Sequence, residues 1–139
     1  MRKVILILIT LLFFSVFAFY FWASSSFNNS DDYNQIVSYH PVLENTSNTF
    51  STMTYNIGYL SGMKNNLPID RSESLFSDNL AQSIKSLDEH NFDFITLQEI
   101  DLGANRSYNY NQFDSLGFFL SFAQGAYAVN WDKQYVSFP

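Results

Sequence analysis

The stretch FDFITLQEID, residues 92–101, decides how the second half of this chain is expected to fold. Its residues are apolar almost without interruption as far as Leu97, a pattern typical of a strand covered on both faces of a sheet. The run then reaches Glu99, and burying an unpaired carboxylate costs several kcal/mol. We therefore expect a strand whose end presents Glu99 to a cation or to a hydrogen-bond donor.

A second strand is predicted upstream, in residues 50–57, where a β-prone run stops at Gly58. Between the two strands, Asp70 and Glu73 have the spacing of a capping box, and apolar residues follow at helical spacing as far as Glu89. Strand, helix and strand in this order predict two adjacent strands in one sheet with a covering helix. The expected fold class is therefore α/β.

Further elements are predicted after these strands. Residues 109–122 carry apolar residues at helical spacing, although Gly117 weakens a helix by about 1 kcal/mol relative to alanine. Residues 127–130 predict another strand. Asn91 is expected to end the preceding helix in the left-handed conformation. His40 and His90 are interpreted as a linker residue and a solvated helix-end residue, not as ligands.

Residues 4–23 read VILILITLLFFSVFAFYFWA and carry no charge. At 1.5 Å per residue a helix of this length crosses a hydrocarbon core of about 30 Å. Arg2 and Lys3 precede it and no basic residue follows until Lys64, so the positive-inside bias places the rest of the chain outside the cytoplasm. The small residues 23–26 leave a cleaved signal sequence open. The chain is expected to be membrane-anchored and extracytoplasmic, or secreted if the segment is removed.

The amino-acid composition argues against several kinds of site. The absence of cysteine excludes disulfides and zinc–thiolate sites. Once Arg2 and Lys3 are set aside with the apolar segment, seven basic residues become five against thirteen acidic ones, a formal charge of −8. Such a balance argues against a general polyanion-binding surface.

The sequence predicts three regions. Residues 1–23 form the anchor, and residues 24–49, rich in Ser, Asn and Asp, form a polar linker. Residues 50–139 form the domain. Because the chain stops on apolar residues in no recognisable terminal element, we expect this domain to be truncated at its C-terminus.

Asn56 and Glu99 stand at the ends of the two predicted strands. In layered α/β proteins ligands gather outside the carboxyl ends of strands, so both side chains are expected in one crevice. Amide and carboxylate oxygens suit Mg²⁺ or Mn²⁺, with water and a substrate phosphate completing the coordination. Each residue alone fits ordinary turn chemistry. Their pairing on two strand ends favours a metal site.

Two motifs carry a resemblance. TYNIG, residues 54–58, and DFITLQE, residues 93–99, resemble the first two motifs of the endonuclease/exonuclease/phosphatase family, the DNase-I-like metal-dependent phosphoesterases. The resemblance covers residues 50–139 and implies the N-terminal portion of a four-layer α/β sandwich. It also implies that Asn56 and Glu99 bind the catalytic divalent ion. The family's later motifs, including the histidine and aspartate that activate water, match nothing here, so no catalytic residue is assigned and the fragment is expected to be inactive alone.

The resemblance implies a membrane-tethered, divalent-metal-dependent phosphoesterase. Its substrate would be a nucleic acid, a phospholipid headgroup or a small phosphorylated molecule. Asp101 and Arg106 are candidates to line the site, with Arg106 as a phosphate fork. The alternative for that pair is a salt bridge that organises the loop after the strand.

Other functional classes remain open. The chain fits a non-catalytic membrane-anchored binding or interaction module in which the same strand ends are purely structural. It also fits an aromatic-rich domain that works on lipid, for which Tyr59, Phe118, Phe119 and Phe122 are the candidate contacts. No protein partner is predicted; the membrane is the expected partner of residues 1–23.

Overall fold

The computed structural model describes residues 2–26, 28–44, 47–62, 67 and 69–135. In these ranges the helices are α1 (Arg2–Ser24), α2 (Glu73–Asp88) and α3 (Gln112–Phe119), and the strands are β1 (Asn34–Ser38), β2 (Thr52–Asn56), β3 (Phe94–Gln98) and β4 (Gln124–Ala128). Short 3-10 turns lie at Ser30–Asp32, Gly58–Leu60 and Asn105–Ser107. The fold is mixed α/β, as predicted. The described strands form two-stranded sheets, β1 with β4 and β2 with β3, and the four-layer sandwich stays a prediction.

The chain divides into two compact units. The first contains Met1–Gln35 and Tyr127–Ser137, and the second contains Ile36–Ala126. The first unit therefore includes α1, which is long and apolar enough to cross a membrane or to serve as a signal sequence. None of the described side chains of α1 is buried.

The βαβ unit of β2, α2 and β3 lies in the second unit. β2 and β3 are parallel, with Thr52 opposite Phe94 and Asn56 opposite Gln98, so their carboxyl ends coincide. The strand–helix–strand order predicted from sequence is confirmed. The capping prediction is wrong in detail, because the N-cap of α2 is Ser72, whose hydroxyl accepts from the backbone N–H of Leu75.

The core of this unit is formed by the apolar stripe of α2 and its neighbours. Its buried members are Ile57, Leu60, Leu80, Leu87 and Leu116. Met53 of β2 and both Ile95 and Leu97 of β3 pack against this cluster, so it lies on one face of the sheet. Burying each such side chain contributes about 1.5–3 kcal/mol relative to leaving it exposed.

The other face of the sheet is open. Phe94 is 58% exposed, and Thr52, Thr54 and Thr96 on the same face are also exposed. The prediction that β3 is covered on both faces is therefore wrong for the described part of the chain. A continuous apolar run does not by itself show how many faces a strand buries.

Part of the predicted linker is structured. β1 lies inside it, and the next residue, Tyr39, donates its hydroxyl to Asp114 Oδ1 at 2.9 Å. The ring of Tyr39 lies so close to Gly117 that a Cβ there would collide with it. Gly117 thus admits this ring, a role that its cost in a helix does not reveal. The neighbouring His40 also contacts α3, since its Nε2 lies 2.9 Å from the carbonyl oxygen of Phe118.

The remaining elements are close to their predicted positions. α3 is shorter than the predicted 109–122, and β4 begins three residues earlier than the predicted 127–130. Asn91 has a φ of 49°, which confirms the predicted left-handed residue after α2.

Candidate functional site

Asn56 and Glu99, the two predicted metal ligands, are in direct contact. Because Asn56 pairs with Gln98 in the parallel register, Glu99 follows immediately beside it. The amide Nδ2 of Asn56 donates to Glu99 Oε1 at 2.9 Å. Both side chains are exposed, so the pair opens to solvent at the carboxyl ends of the two strands.

The amide of Asn56 is oriented by a second bond. Its Oδ1 accepts from the backbone N–H of Gly58 at 2.9 Å. A flipped amide would point Nδ2 at that N–H and Oδ1 at the carboxylate, so the network fixes the assignment. An amide oxygen has two lone pairs and a carboxylate has about four, so these bonds are compatible with a cation on the same two groups.

The backbone at this end of the sheet adopts unusual conformations. Gly58, Tyr59 and Leu60 have φ values of 53°, 56° and 57°, and Glu99 has a φ of 51°. For each of the three residues that carry a Cβ, the left-handed region costs roughly 1–2 kcal/mol. Such strain clusters at sites that bind ligands, and persists only where surrounding contacts hold it.

Backbone hydrogen bonds between the two strand ends supply part of that support. Ile57 N donates to Gln98 O at 3.1 Å, and Tyr59 N donates to Glu99 O at 2.8 Å. Leu60, only 4% exposed, anchors the turn in the core. The loop after β2 and the loop after β3 are therefore held as one piece.

Gln112 connects the loop after β2 with the loop after β3 from their buried side. Its Nε2 donates to Tyr59 O at 2.7 Å, and its Oε1 accepts from Asp101 N at 3.0 Å. Its own backbone N–H donates to Asp101 O at 2.9 Å. At 1% exposure this side chain satisfies buried backbone groups that water cannot reach. Sequence reasoning assigned Gln112 no role, since nothing local marks an amide at a helix start as a bridge.

Asp101 and Arg106 form an ion pair with each other. Arg106 Nη2 lies 2.6 Å from Asp101 Oδ1, and Nε lies 3.1 Å from each carboxylate oxygen. The side chain of Asp101 is 3% exposed and that of Arg106 is 28% exposed. The arrangement corresponds to the alternative of a loop-organising salt bridge, because Asp101 occupies the Nε–Nη2 edge of the guanidinium.

Arg106 also stacks on Tyr59. Its Cζ lies 3.3 Å from the centroid of the ring, a cation–π contact. Burial alone would lower the pKa of Arg106, but the hydrogen bonds and the charge of Asp101 outweigh it and raise the pKa. The guanidinium is therefore always charged, and it holds Tyr59 against the loop that carries Asp101.

Few side chains at the strand ends could bind a metal ion. Among the described residues no group of three or more His, Cys, Asp or Glu side chains is placed to hold a metal ion. Asn56 carries one neutral oxygen and Glu99 an anionic carboxylate, and the amide nitrogen of Asn56, not its Oδ1, faces that carboxylate. The two oxygen groups fit Mg²⁺, which takes one or two protein ligands and keeps several waters, better than they fit zinc, which prefers nitrogen and sulfur.

Comparisons with protein-family models, with curated proteins and with solved structures find no match for this chain. The family resemblance rests on the residues quoted above and stays a prediction.

Proposed function

We propose that the second unit binds a divalent cation through Asn56 and Glu99 and belongs to a metal-dependent phosphoesterase. The observation that carries this proposal is the contact between the two side chains at the coincident ends of parallel strands. The amide and the carboxylate meet there on a backbone held in left-handed conformations, and each group carries an oxygen that can bind a cation.

The roles of the chain's own residues follow from their contacts. Glu99 supplies the negative charge that attracts the cation, and Asn56 supplies a neutral oxygen whose direction Gly58 fixes. Gln112 and the Asp101–Arg106 pair position the loops. A divalent ion, when bound, polarises a phosphoryl oxygen and stabilises the leaving oxygen.

No residue of this chain is assigned as the base that activates water. We therefore propose that the chain alone binds the cation without hydrolysing a phosphoester. The substrate class includes phospholipid headgroups, small phosphorylated molecules and nucleic acid, and the acidic balance disfavours a nonspecific nuclease. We further propose that α1 tethers the unit on the extracytoplasmic side, since Arg2 and Lys3 precede the apolar run.

Manganese binding tests the site directly. Mn²⁺ is titrated into the full chain in detergent micelles, and the free-ion electron paramagnetic resonance signal is followed. Glu99→Gln keeps the size of the side chain and an oxygen for the Asn56 amide but removes the charge. We expect this change to weaken Mn²⁺ binding at least about tenfold, the equivalent of 1.4 kcal/mol.

Glu89→Gln is the matched control. Glu89 follows α2 and is exposed, so its loss removes the same charge away from the strand ends. Equal Mn²⁺ binding by Glu99→Gln and the unmodified chain would overturn the metal assignment. It would favour the alternative, a non-catalytic anchored module in which the Asn56–Glu99 bond only fastens two strands.

A further inference from the structure

A short segment near the end of the described chain lies against the C-terminal end of α1. This segment, residues 131–135, is called the juxtamembrane segment below. Lys133 Nζ donates to Ser24 O at 2.8 Å, Gln134 N donates to Ser25 O at 3.0 Å, and Tyr135 N donates to Ala23 O at 3.4 Å. The last carbonyl groups of a helix have no partner within it, so this segment supplies donors that α1 lacks.

Lys133 also complements the charge at that end. A helix C-terminus carries a partial negative charge, and a basic residue in the last turn usually balances it. α1 has no basic residue in its last turn. The ammonium group of Lys133, bonded to the carbonyl of Ser24, takes that role from a distant part of the sequence.

Contacts between aromatic rings show which part of α1 the juxtamembrane segment lies beside. The ring of Tyr135 lies 5.5 Å from that of Phe19 and 6.4 Å from that of Trp22. Trp22 is near the end of the apolar run, where tryptophan and tyrosine form the aromatic belt of a membrane protein. Tyr135 therefore lies beside the residues that would mark the boundary between hydrocarbon and headgroups.

The segment exposes apolar surface at that level. Trp131 is 69% exposed and Tyr135 is 48% exposed. Trp131 precedes Lys133 by two residues, so their Cα atoms are at most about 7 Å apart. Asp132 faces the protein, because its Oδ2 accepts from Asn28 N and from the hydroxyl of Tyr33, each at 2.9 Å. Its charge is thus satisfied internally.

We propose that the juxtamembrane segment is a lipid-binding surface. Trp131 and Tyr135 insert into the interfacial layer of the bilayer leaflet at the C-terminal end of α1, and Lys133 lies at the level of the lipid phosphates. The occupant is a lipid bilayer, since this surface is continuous with the helix that is long and apolar enough to cross one. The proposal rests on the proposed membrane tether by α1 and is independent of Asn56 and Glu99.

The tryptophan content of the chain allows a direct test. Trp22 and Trp131 are its two tryptophans, so Trp22→Phe leaves Trp131 as the sole reporter. The full chain is reconstituted in phosphatidylcholine vesicles whose acyl chains are brominated either near the headgroup or near the chain end. We expect blue-shifted Trp131 emission, stronger quenching by the shallow bromines and little quenching by aqueous iodide.

Trp131→Phe leaves Trp22 as the reporter and shows whether α1 is inserted in the same vesicles. If Trp22 is quenched by brominated lipid while Trp131 emits as in water and is quenched by iodide, the proposal is overturned. If neither tryptophan is quenched by lipid, α1 is not a membrane segment and the proposal is overturned as well.

A second variant tests the connection to the helix. In the Trp22→Phe background, Lys133→Met removes the bond to Ser24, and we expect iodide quenching of Trp131 to increase severalfold. Lys85→Met, an exposed lysine in α2, is the matched control and should leave the quenching unchanged. Unchanged quenching in Lys133→Met would show that this contact does not place Trp131 in the interface.

Discussion

The two ends of the parallel pair β2–β3 are joined by different side-chain hydrogen bonds. Each end joins a carboxylate of the β3 side to a polar residue of the β2 side. At the amino end, Asp93 Oδ2 accepts from both the backbone N–H and the hydroxyl of Ser51, at 2.7 and 2.8 Å. At the carboxyl end, Glu99 accepts from the side-chain amide of Asn56.

The two ends differ in the conformation of their backbone. Asp93 N donates back to the Ser51 hydroxyl at 3.0 Å, and neither residue has a positive φ. At the carboxyl end, Tyr59, Leu60 and Glu99 are left-handed, and Tyr59 is held by a buried glutamine and a stacked arginine. The amino end is held by the hydrogen bonds between Ser51 and Asp93, which we call the Ser51–Asp93 clasp. The carboxyl end, in contrast, keeps three residues in strained left-handed backbone conformations. This difference is why we place the function at the carboxyl end.

Removing the charge that pairs with Asp101 should have the largest effect. Arg106→Met leaves a carboxylate that is 3% exposed without its cation, and we expect a loss of about 3 kcal/mol in the free energy of unfolding. The double variant Arg106→Met with Asp101→Leu should recover much of it, because a buried ion pair adds little over apolar packing. Chemical denaturation of the full chain in micelles measures both; a loss below about 1 kcal/mol for Arg106→Met would remove the argument that this pair supports the strained end.

Gln112→Leu should have the next largest effect. The change keeps the buried volume but leaves Tyr59 O and Asp101 N without their partner, and each buried unsatisfied group costs about 1–3 kcal/mol. We expect a loss of about 2 kcal/mol in the same denaturation experiment. Gln124→Leu, at an exposed position in β4, is the control and should change stability by less than about 0.5 kcal/mol. Equal stability of the two variants would mean that Gln112 does not hold the loops together.

The smallest effect is expected at the amino end and appears only in acid. The backbone N–H of Ser51 and then its hydroxyl lower the pKa of Asp93 in the folded chain. A lowered folded pKa contributes stability above the unfolded value of about 3.9, and this contribution is lost as the pH falls through the folded pKa. Thermal unfolding of Asp93→Asn should therefore show a weaker decline below about pH 4 than the unmodified chain. Parallel declines would show that the clasp is not linked to pH.

The sequence predicted those features that local patterns encode. The order β2, α2, β3 follows from residue periodicity, and the left-handed Asn91 follows from its position after an apolar helical run. The proximity of Asn56 and Glu99 followed from one added step, that parallel neighbouring strands end at the same edge, whereas their direct hydrogen bond was not predicted.

The features that sequence reasoning missed depend on contacts between distant residues. Tyr39 bonds Asp114 across 75 positions, which no local pattern in a polar segment signals. Ser72 replaces Asp70 as the cap because the helix start depends on backbone geometry as well as on spacing. The Ser51–Asp93 clasp and the bridge by Gln112 join loops whose proximity only the folded sheet creates.

The contact of Lys133 with Ser24 has a consequence for synthesis of the chain. These residues are 109 positions apart, and the second unit is encoded between them. At about 5–20 residues per second, roughly 5–20 seconds pass on the ribosome between the completion of α1 and the addition of Lys133. During that interval the donors that residues 133–135 supply to the end of α1 have not yet been added to the chain. On the proposal that α1 tethers the chain to a membrane, we expect α1 to insert before these donors are added, and the juxtamembrane segment to join it afterwards.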